Sequence, residues 1–370
     1  MPREYPDYPD HAQALQYLRS YARAFQLYES IEFGKSVTRA ERVARGRWEV
    51  TLSDGETRLY SGLIVATGMQ WEANLPDFPG RFEGEFMHSS RYKAPDIVRG
   101  KRVLIVGAGN SGCDIAVEAS QHAARTFLSV RRGYHYLPKY IFGRPIDQVG
   151  EVSLKLRVPL FVRTALNQLL LRVVVGRPER FGLPRPDHKL FESHPIVNSQ
   201  ILPALGRGDI CPKPDVQELR GREVLFRDGT TESVDLIIYA TGYRVAFPFL
   251  ARAHLNWTAN RPDLYLHVFH PEYDDLFVVG MIQPDSGVWW LMDLQARAVA
   301  QYIRALERNP AAADRLRTLK RSPRPDLGNG IRYLETERHH FEVEHFSYQR
   351  RLNKLIRLLD SSTPRVEGVP

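Results

Sequence analysis

Apolar residues recur along the chain at two spacings, and the switches between them mark out its elements. Short continuous apolar runs at Leu63–Ala66, Lys101–Val106, Arg125–Val130, Leu236–Tyr239 and Leu276–Val279 each end in small or turn residues. Such runs predict strands buried on both faces, as in a parallel sheet. Strict alternation in Trp48-Glu-Val-Thr-Leu52, followed by Asp54-Gly55, predicts a hairpin, and Ile210–Gly229, with a turn at Asp228-Gly229, predicts further strands. Helical spacing takes over elsewhere. After a proline-punctuated extended start, Met1–Asp10, a helix entered near His11 places Leu15, Leu18, Ala22 and Phe25 on one face. Further helices are predicted within Val158–Val175, from about Val288 to Leu306 and near Phe346–Leu359. Strands alternating with helices make this an α/β chain.

One strand-to-helix junction carries chemistry. Lys101–Val106 opens into Gly107-Ala108-Gly109-Asn110-Ser111-Gly112 and then an amphipathic helix, so a G-x-G-x-x-G turn sits between strand and helix. Gly107 permits the tight turn, Gly109 lets backbone approach a pyrophosphate, and Gly112 allows the helix to pack closely on the strand. The phosphates would rest at the positive helix N-terminus, with Asn110 and Ser111 in its first turn. The next strand selects the dinucleotide. An NAD site places an acid about 20 residues past the glycines, whereas this strand ends in Arg131-Arg132. A planar guanidinium fork suits a 2′-phosphate, which indicates NADP(H).

Two copies of one strand ending, Leu63-Ile-Val-Ala-Thr67-Gly68 and Leu236-Ile-Ile-Tyr-Ala-Thr241-Gly242, flank this unit. Their small-residue turns let backbone pass close to a ligand or a neighbouring domain. They mark the two crossings between a host domain and an inserted one, with Pro76, Pro79 and Gly80 as the outgoing linker.

Composition narrows the class. With 370 residues the chain exceeds one ordinary core, so two domains are expected. The net charge of +8 comes from arginine dispersed along the chain, which does not mark a nucleic-acid footprint. The two cysteines, Cys113 and Cys211, have no metal-ligand spacing and form no disulfide framework, which fits a cytoplasmic, reducing setting. Val158–Val175 is the most apolar stretch, and Pro159, Arg163, Asn167, Gln168 and Arg172 make it too polar for an integral membrane segment. Homo-oligomerisation is left open.

Phe82-Glu-Gly84-Glu-Phe-Met-His88-Ser-Ser-Arg-Tyr92 matches F-x-G-x-x-x-H-x-x-x-Y, between the first Ala-Thr-Gly and the glycine turn. On that signature the chain resembles the flavin-containing monooxygenases, class B flavoprotein monooxygenases. The glycine-turn unit, Ala240-Thr-Gly-Tyr243, Gly280-Met-Ile-Gln283-Pro and Asp293-Leu-Gln-Ala-Arg297 are similar to family segments too, and the likeness runs from about Tyr5 to Tyr348. Related Baeyer-Villiger enzymes usually carry Trp at the position of Tyr92, so the branch that oxidises amines and sulfides is implied.

The resemblance implies two Rossmann-like dinucleotide-binding domains. Residues 79–232 would form the NADP(H)-binding domain, inserted in a FAD-type domain made of 1–78 and 233–348, with 349–370 a C-terminal helix and a disordered tail beyond Ser361. NADPH would reduce FAD, O2 would add to the flavin as a peroxide, and one oxygen atom would pass to a soft nitrogen or sulfur of a small amine or sulfide. Asn110 is implied near the nicotinamide, His88 as a positioning residue coupling the two cofactor domains, and Gln283 facing the flavin. The helix after Gln283 would aim its N-terminus at the flavin ring. No catalytic metal is implied. The family's first FAD-binding βαβ unit has no counterpart here, which reads as a truncated start and allows two alternatives, an NADP(H)-binding fragment without catalysis or a Baeyer-Villiger-type enzyme. Without that unit, Leu63–Ala66 and Leu276–Val279 are expected to lack backbone partners and the chain to be poorly stable, with residues 79–232 the most protease-resistant block.

Overall fold

The computed structural model describes residues 4–43, 46–146, 148, 160–258, 260–334, 336 and 339–360. The first three residues of the extended start, the Val158-Pro159 entry to the apolar helix and the tail beyond Ser361 lie outside that set. Two compact units emerge, residues 1–63 with 247–255, and 64–246 with 256–370.

In the first unit, helix His11–Ala24 starts on a reciprocal cap. The Asp10 carboxylate accepts from the Gln13 backbone N–H at 2.8 Å, and the Gln13 side chain accepts from the Asp10 N–H at 3.0 Å. No residue of this helix is buried, so its stripe at Leu15 and Leu18 stays exposed. Val37–Val43, Arg47–Leu52 and Thr57–Tyr60 form an antiparallel sheet, with the hairpin turning at Asp54-Gly55. Trp48 is fully buried in it and meets the edge of His254, whose Nε2 lies 2.9 Å from a Glu41 carboxylate oxygen.

The second unit holds the glycine turn. Its main sheet combines β1 (Glu85–His88), β2 (Arg102–Val106), β3 (Arg125–Ser129), β4 (Ile210–Lys213) and β5 (Leu236–Tyr239), all parallel, in the order β4-β3-β2-β5-β1. Helix α1 (Asn110–Ser120) follows β2, and α2 (Leu160–Val174) and α3 (Ile201–Arg207) lie between β3 and β4. Alternate residues of β2 serve opposite cores. Val103 and Ile105 pack with Ala116 of α1 and Ile201 of α3, while Leu104 and Val106 pack with Phe127, Val224 and Phe226. The second face is covered by a smaller sheet of Gly80–Phe82, Val216–Gly221, Glu223–Phe226 and Thr231–Ser233. Both faces are dry, which explains why these strands are apolar throughout. β5 lies between β2 and β1, so the glycine-turn sheet takes a strand from beyond residue 232.

Farther along come β6 (Leu276–Val278), α4 (Trp289–Arg308), α5 (Pro310–Arg321) and α6 (His345–Asp360). The stripe Leu291, Leu294, Ala298 and Tyr302 of α4 is buried in one core with Tyr348, Leu352, Leu355 and Leu359 of α6. The expected lack of backbone partners fails here. Val279 N–H donates to the Val65 carbonyl at 2.9 Å and Val278 N–H to the Val268 carbonyl at 3.0 Å, so the end of β6 uses both its edges. None of the helices, searched over the described residues, is long and apolar enough to cross a membrane.

Candidate cofactor site

The strand order reverses between β2 and β5, because the chain leaves β2 toward β3 on one side and returns to β5 on the other. A crevice at the carboxyl ends of strands on either side of such a switch is where α/β sheets receive ligands. The glycine turn opens there. Gly107 has φ +104°, and a Cβ on it would stand 2.6 Å from the Ala240 carbonyl oxygen; a Cβ on Gly112 would stand 1.9 Å from the Gly107 oxygen. Neither position can carry a side chain without moving backbone.

Gly109 enters α1 in an extended conformation, with no side-chain cap and no acidic residue in the first turn. The N–H groups of that turn therefore remain available to an anion, and the helix dipole favours one. Val197 N–H donates to Asn110 Oδ1 at 2.8 Å, which commits the oxygen and leaves the amide nitrogen as the donor for a ligand. Ser111 is exposed beside it.

His88 ends β1 and is buried. Its Nδ1 accepts from Ser90 N–H at 3.2 Å, so the ring proton sits on Nε2, which donates to the Gly242 carbonyl at 3.0 Å. The ring also meets the edge of Tyr243. Asn74 N–H donates to the same Gly242 carbonyl at 3.0 Å, Asn74 Nδ2 donates to the Thr241 carbonyl at 3.4 Å, and Thr241 Oγ1 donates back to the Asn74 carbonyl. Two side chains thus clamp the Thr241-Gly242 turn at the mouth of the switch. Tyr92 donates to Glu118 of α1 at 2.7 Å; burial and that carboxylate push its hydroxyl pKa upward. The signature histidine and tyrosine brace opposite sides of the glycine turn, one through β5 and one through α1. Sequence reasoning missed Asn74. Its signal was faint, an amide six residues after Gly68 whose backbone partners, the Thr241 and Gly242 carbonyls, lie far along the chain.

The two arginines after β3 separate clearly. Arg132 Nε donates to both oxygens of Asp187, at 2.8 and 2.9 Å, and hydrogen bonds from Arg132 and His188 hold the Asp187 pKa down to about 2. Arg131 is exposed, with no partner among the described residues. It lies close to the turn, since Gly107 N–H donates to the carbonyl of Ser129 at 3.0 Å.

Thr67, Gly68 and Gln283 belong to a second group. Thr67 and Gly68 form an exposed turn just beyond Val65, and Gln283 is half-buried, its backbone N–H donating to the Phe341 carbonyl at 2.7 Å. No hydrogen bond among the described residues joins them to the glycine-turn group. The Val65–Val279 bond brings their two strand ends side by side. A buried relay fixes the second end. Gly280 N–H donates to Gln295 Oε1 at 2.8 Å, Gln295 Nε2 donates to the Tyr348 hydroxyl at 2.7 Å, and that hydroxyl donates to the Leu266 carbonyl at 2.6 Å. Helix α4 then begins with no side-chain cap and no acid in its first turn, so its N-terminus also suits negative charge.

Comparison with known proteins places the chain in a family. A family described as "Flavin-binding monooxygenase-like" matches residues 1–357. Flavin-containing monooxygenase 5 of Homo sapiens is 33% identical over 378 residues, covering 96% of this chain and 69% of the human protein. Dimethylaniline monooxygenase [N-oxide-forming] 2 of Macaca mulatta is 33% identical over 328 residues, covering 83% of this chain and 60% of its own length. Among solved structures, S-allyl-L-cysteine S-oxygenase from Allium sativum superposes with a TM-score of 0.58 at 20% identity, covering 98% of this chain and 72% of that one. The match passes through both Ala-Thr-Gly turns and the glycine turn between them, and the chain therefore belongs to the flavin-binding monooxygenase-like family, oxidoreductases that work with FAD and NADP(H).

Proposed function

We propose that this chain binds NADPH on the glycine turn between β2 and β5, uses its electrons to reduce FAD, and places one atom of O2 on a soft nitrogen or sulfur of a small amine or sulfide. The second oxygen atom leaves as water. The observation that carries the reading is the braced switch point, an uncapped helix N-terminus beside an arginine with no partner among the described residues.

The residues fit the nicotinamide dinucleotide. The first-turn N–H groups of α1 would take the pyrophosphate, Arg131 the 2′-phosphate, and the Asn110 amide nitrogen the nicotinamide end. His88 acts as a positioning residue that fixes the Thr241-Gly242 turn through its donated proton. For the flavin, the ring end fits Thr67, Gly68, Gln283 and the N-terminus of α4, whose dipole would favour negative charge on the reduced ring. When bound, FAD supplies two-electron transfer and O2 activation. The protein contributes orientation and exclusion of water, and no side-chain nucleophile is needed. Within these 370 residues one G-x-G-x-x-G occurs, the one assigned here to NADP(H). Residues 79–232 would be the inserted NADP(H)-binding domain, its sheet completed by β5, in a protein of the cytoplasm.

That one relative is an N-oxide-forming dimethylaniline monooxygenase supports an amine, rather than a ketone, as the substrate of this chain. The test supplies NADPH, O2 and FAD with a tertiary amine, a thioether or a cyclic ketone. N-oxide or sulfoxide formation with matching NADPH consumption is the expected result. Ester from the ketone as sole product would replace the reading with Baeyer-Villiger chemistry, and a colourless protein that binds NADPH without turnover would reduce it to a binding module.

A further inference from the structure

Away from the glycine turn, a cavity of about 520 Å³ lies between α2 and residues 176–188. Small-molecule sites usually span about 300–1,000 Å³. None of the residues assigned above to NADP(H) or FAD lines it.

Its lining is unbalanced in charge. Arg172, Arg177 and Arg185 line the cavity, and no side-chain partner binds any of them among the described residues. Glu179 is the one carboxylate of the lining. Asp187, next in sequence to two lining residues, is engaged by Arg132 and His188 and does not supply the missing charge. His135 donates its Nε2 proton to the His188 carbonyl at 2.9 Å, and burial lowers its pKa. The rest of the lining is largely apolar and includes Leu169, Leu171 and Val175. Tyr136 also lines it and is 3% exposed, yet its hydroxyl has no hydrogen-bond partner among the described residues. A buried hydroxyl is ordinarily paired, so an unpaired one beside a cavity points to a ligand that accepts from it.

We propose that this cavity binds an organic carboxylate with an apolar body, the carboxylate held by Arg172, Arg177 and Arg185 and the body lying against Leu169, Leu171 and Val175. Guanidinium forks match a carboxylate bidentately. The apolar lining selects an amphiphile over a fully hydrated anion.

Isothermal titration of the whole chain with decanoate, decanol and inorganic phosphate tests this. Saturable decanoate binding is expected at one site, about tenfold or more tighter than decanol. Phosphate at equal concentration should not displace it, and prior saturation with NADP+ should leave it unchanged. The double substitution Arg172→Gln and Arg185→Gln should weaken decanoate about tenfold while NADP+ still binds, which reports that the fold is intact. The proposal is overturned if decanoate does not bind, if decanol binds as well, if phosphate displaces decanoate, if NADP+ does so, or if the double variant binds decanoate as before. Should the variant fail to fold, the comparison of decanoate with decanol on the unsubstituted chain decides alone.

Discussion

At the end of β3, Arg132 grips both oxygens of Asp187 while Arg131 stands exposed with no partner among the described residues. A charge-assisted hydrogen bond to a phosphate contributes about 1.5–3 kcal/mol, roughly ten- to a hundredfold in affinity. Arg131→Ala should therefore weaken NADPH by that factor and leave NADH nearly unchanged, whereas Arg132→Ala should affect both only slightly. Fluorescence titration with the two dinucleotides measures this, and equal losses for both on Arg131→Ala would refute the assignment. The sequence marked the arginine pair by its place at a strand end. It could not rank the two, because Asp187 lies 55 residues away and nothing local announces it. His88 was legible for a similar reason and to a similar limit. Its signature is local, but the Gly242 carbonyl it holds is a backbone group 154 positions off.

Among elements, helices were the most legible, because their apolar stripes are local. Helix α4 was expected from about Val288 to Leu306 and spans Trp289–Arg308, and α6 was expected near Phe346–Leu359 and spans His345–Asp360. Strand pairing was less legible, since the partners are far apart in sequence. The pairing through Val65 and Val279, expected to be missing, is the clearest instance. What holds the end of that segment is the Gly280–Gln295–Tyr348–Leu266 relay. Tyr348→Phe would strand the Gln295 amide and the Leu266 carbonyl in a buried place, with an expected loss of about 1–3 kcal/mol in urea unfolding at unchanged m. A loss below a few tenths of a kcal/mol would show that the relay holds nothing.

Asp274, just before β6, accepts from Lys320 Nζ at 2.6 Å, from Arg317 Nε at 2.7 Å and from the Tyr302 hydroxyl. Burial alone would raise its pKa, but these three donors outweigh burial and hold it below the ordinary value. As the folded pKa is the lower one, the unfolded chain takes up the proton first when pH falls. The stabilisation is complete above the ordinary carboxylate range, about pH 4, and is lost as pH drops through the folded pKa. Melting temperature should decline in that acid window, and Asp274→Asn should melt lower at neutral pH with a shallower acid decline. Parallel acid slopes for both proteins would contradict the assignment.

On the scale of the whole chain, family and cofactor chemistry were legible because the motifs that carry them are short and ordered. The substrate was not, for a physical reason. A reaction whose bond-making power resides in a cofactor leaves no nucleophile or metal cluster for a sequence to display. Exposed apolar stripes such as Leu15 and Leu18 on helix His11–Ala24 were likewise invisible, since helical spacing predicts a buried face without naming what buries it. The central claim is that electrons pass from NADPH to a flavin held by this chain. Anaerobic mixing of the FAD-loaded protein with NADPH, followed by the visible absorption of the flavin, tests it most directly. Loss of the oxidised flavin band with NADPH, much slower with NADH, is the expected result; a protein that binds NADPH but shows no flavin band, or keeps it unchanged, would contradict it.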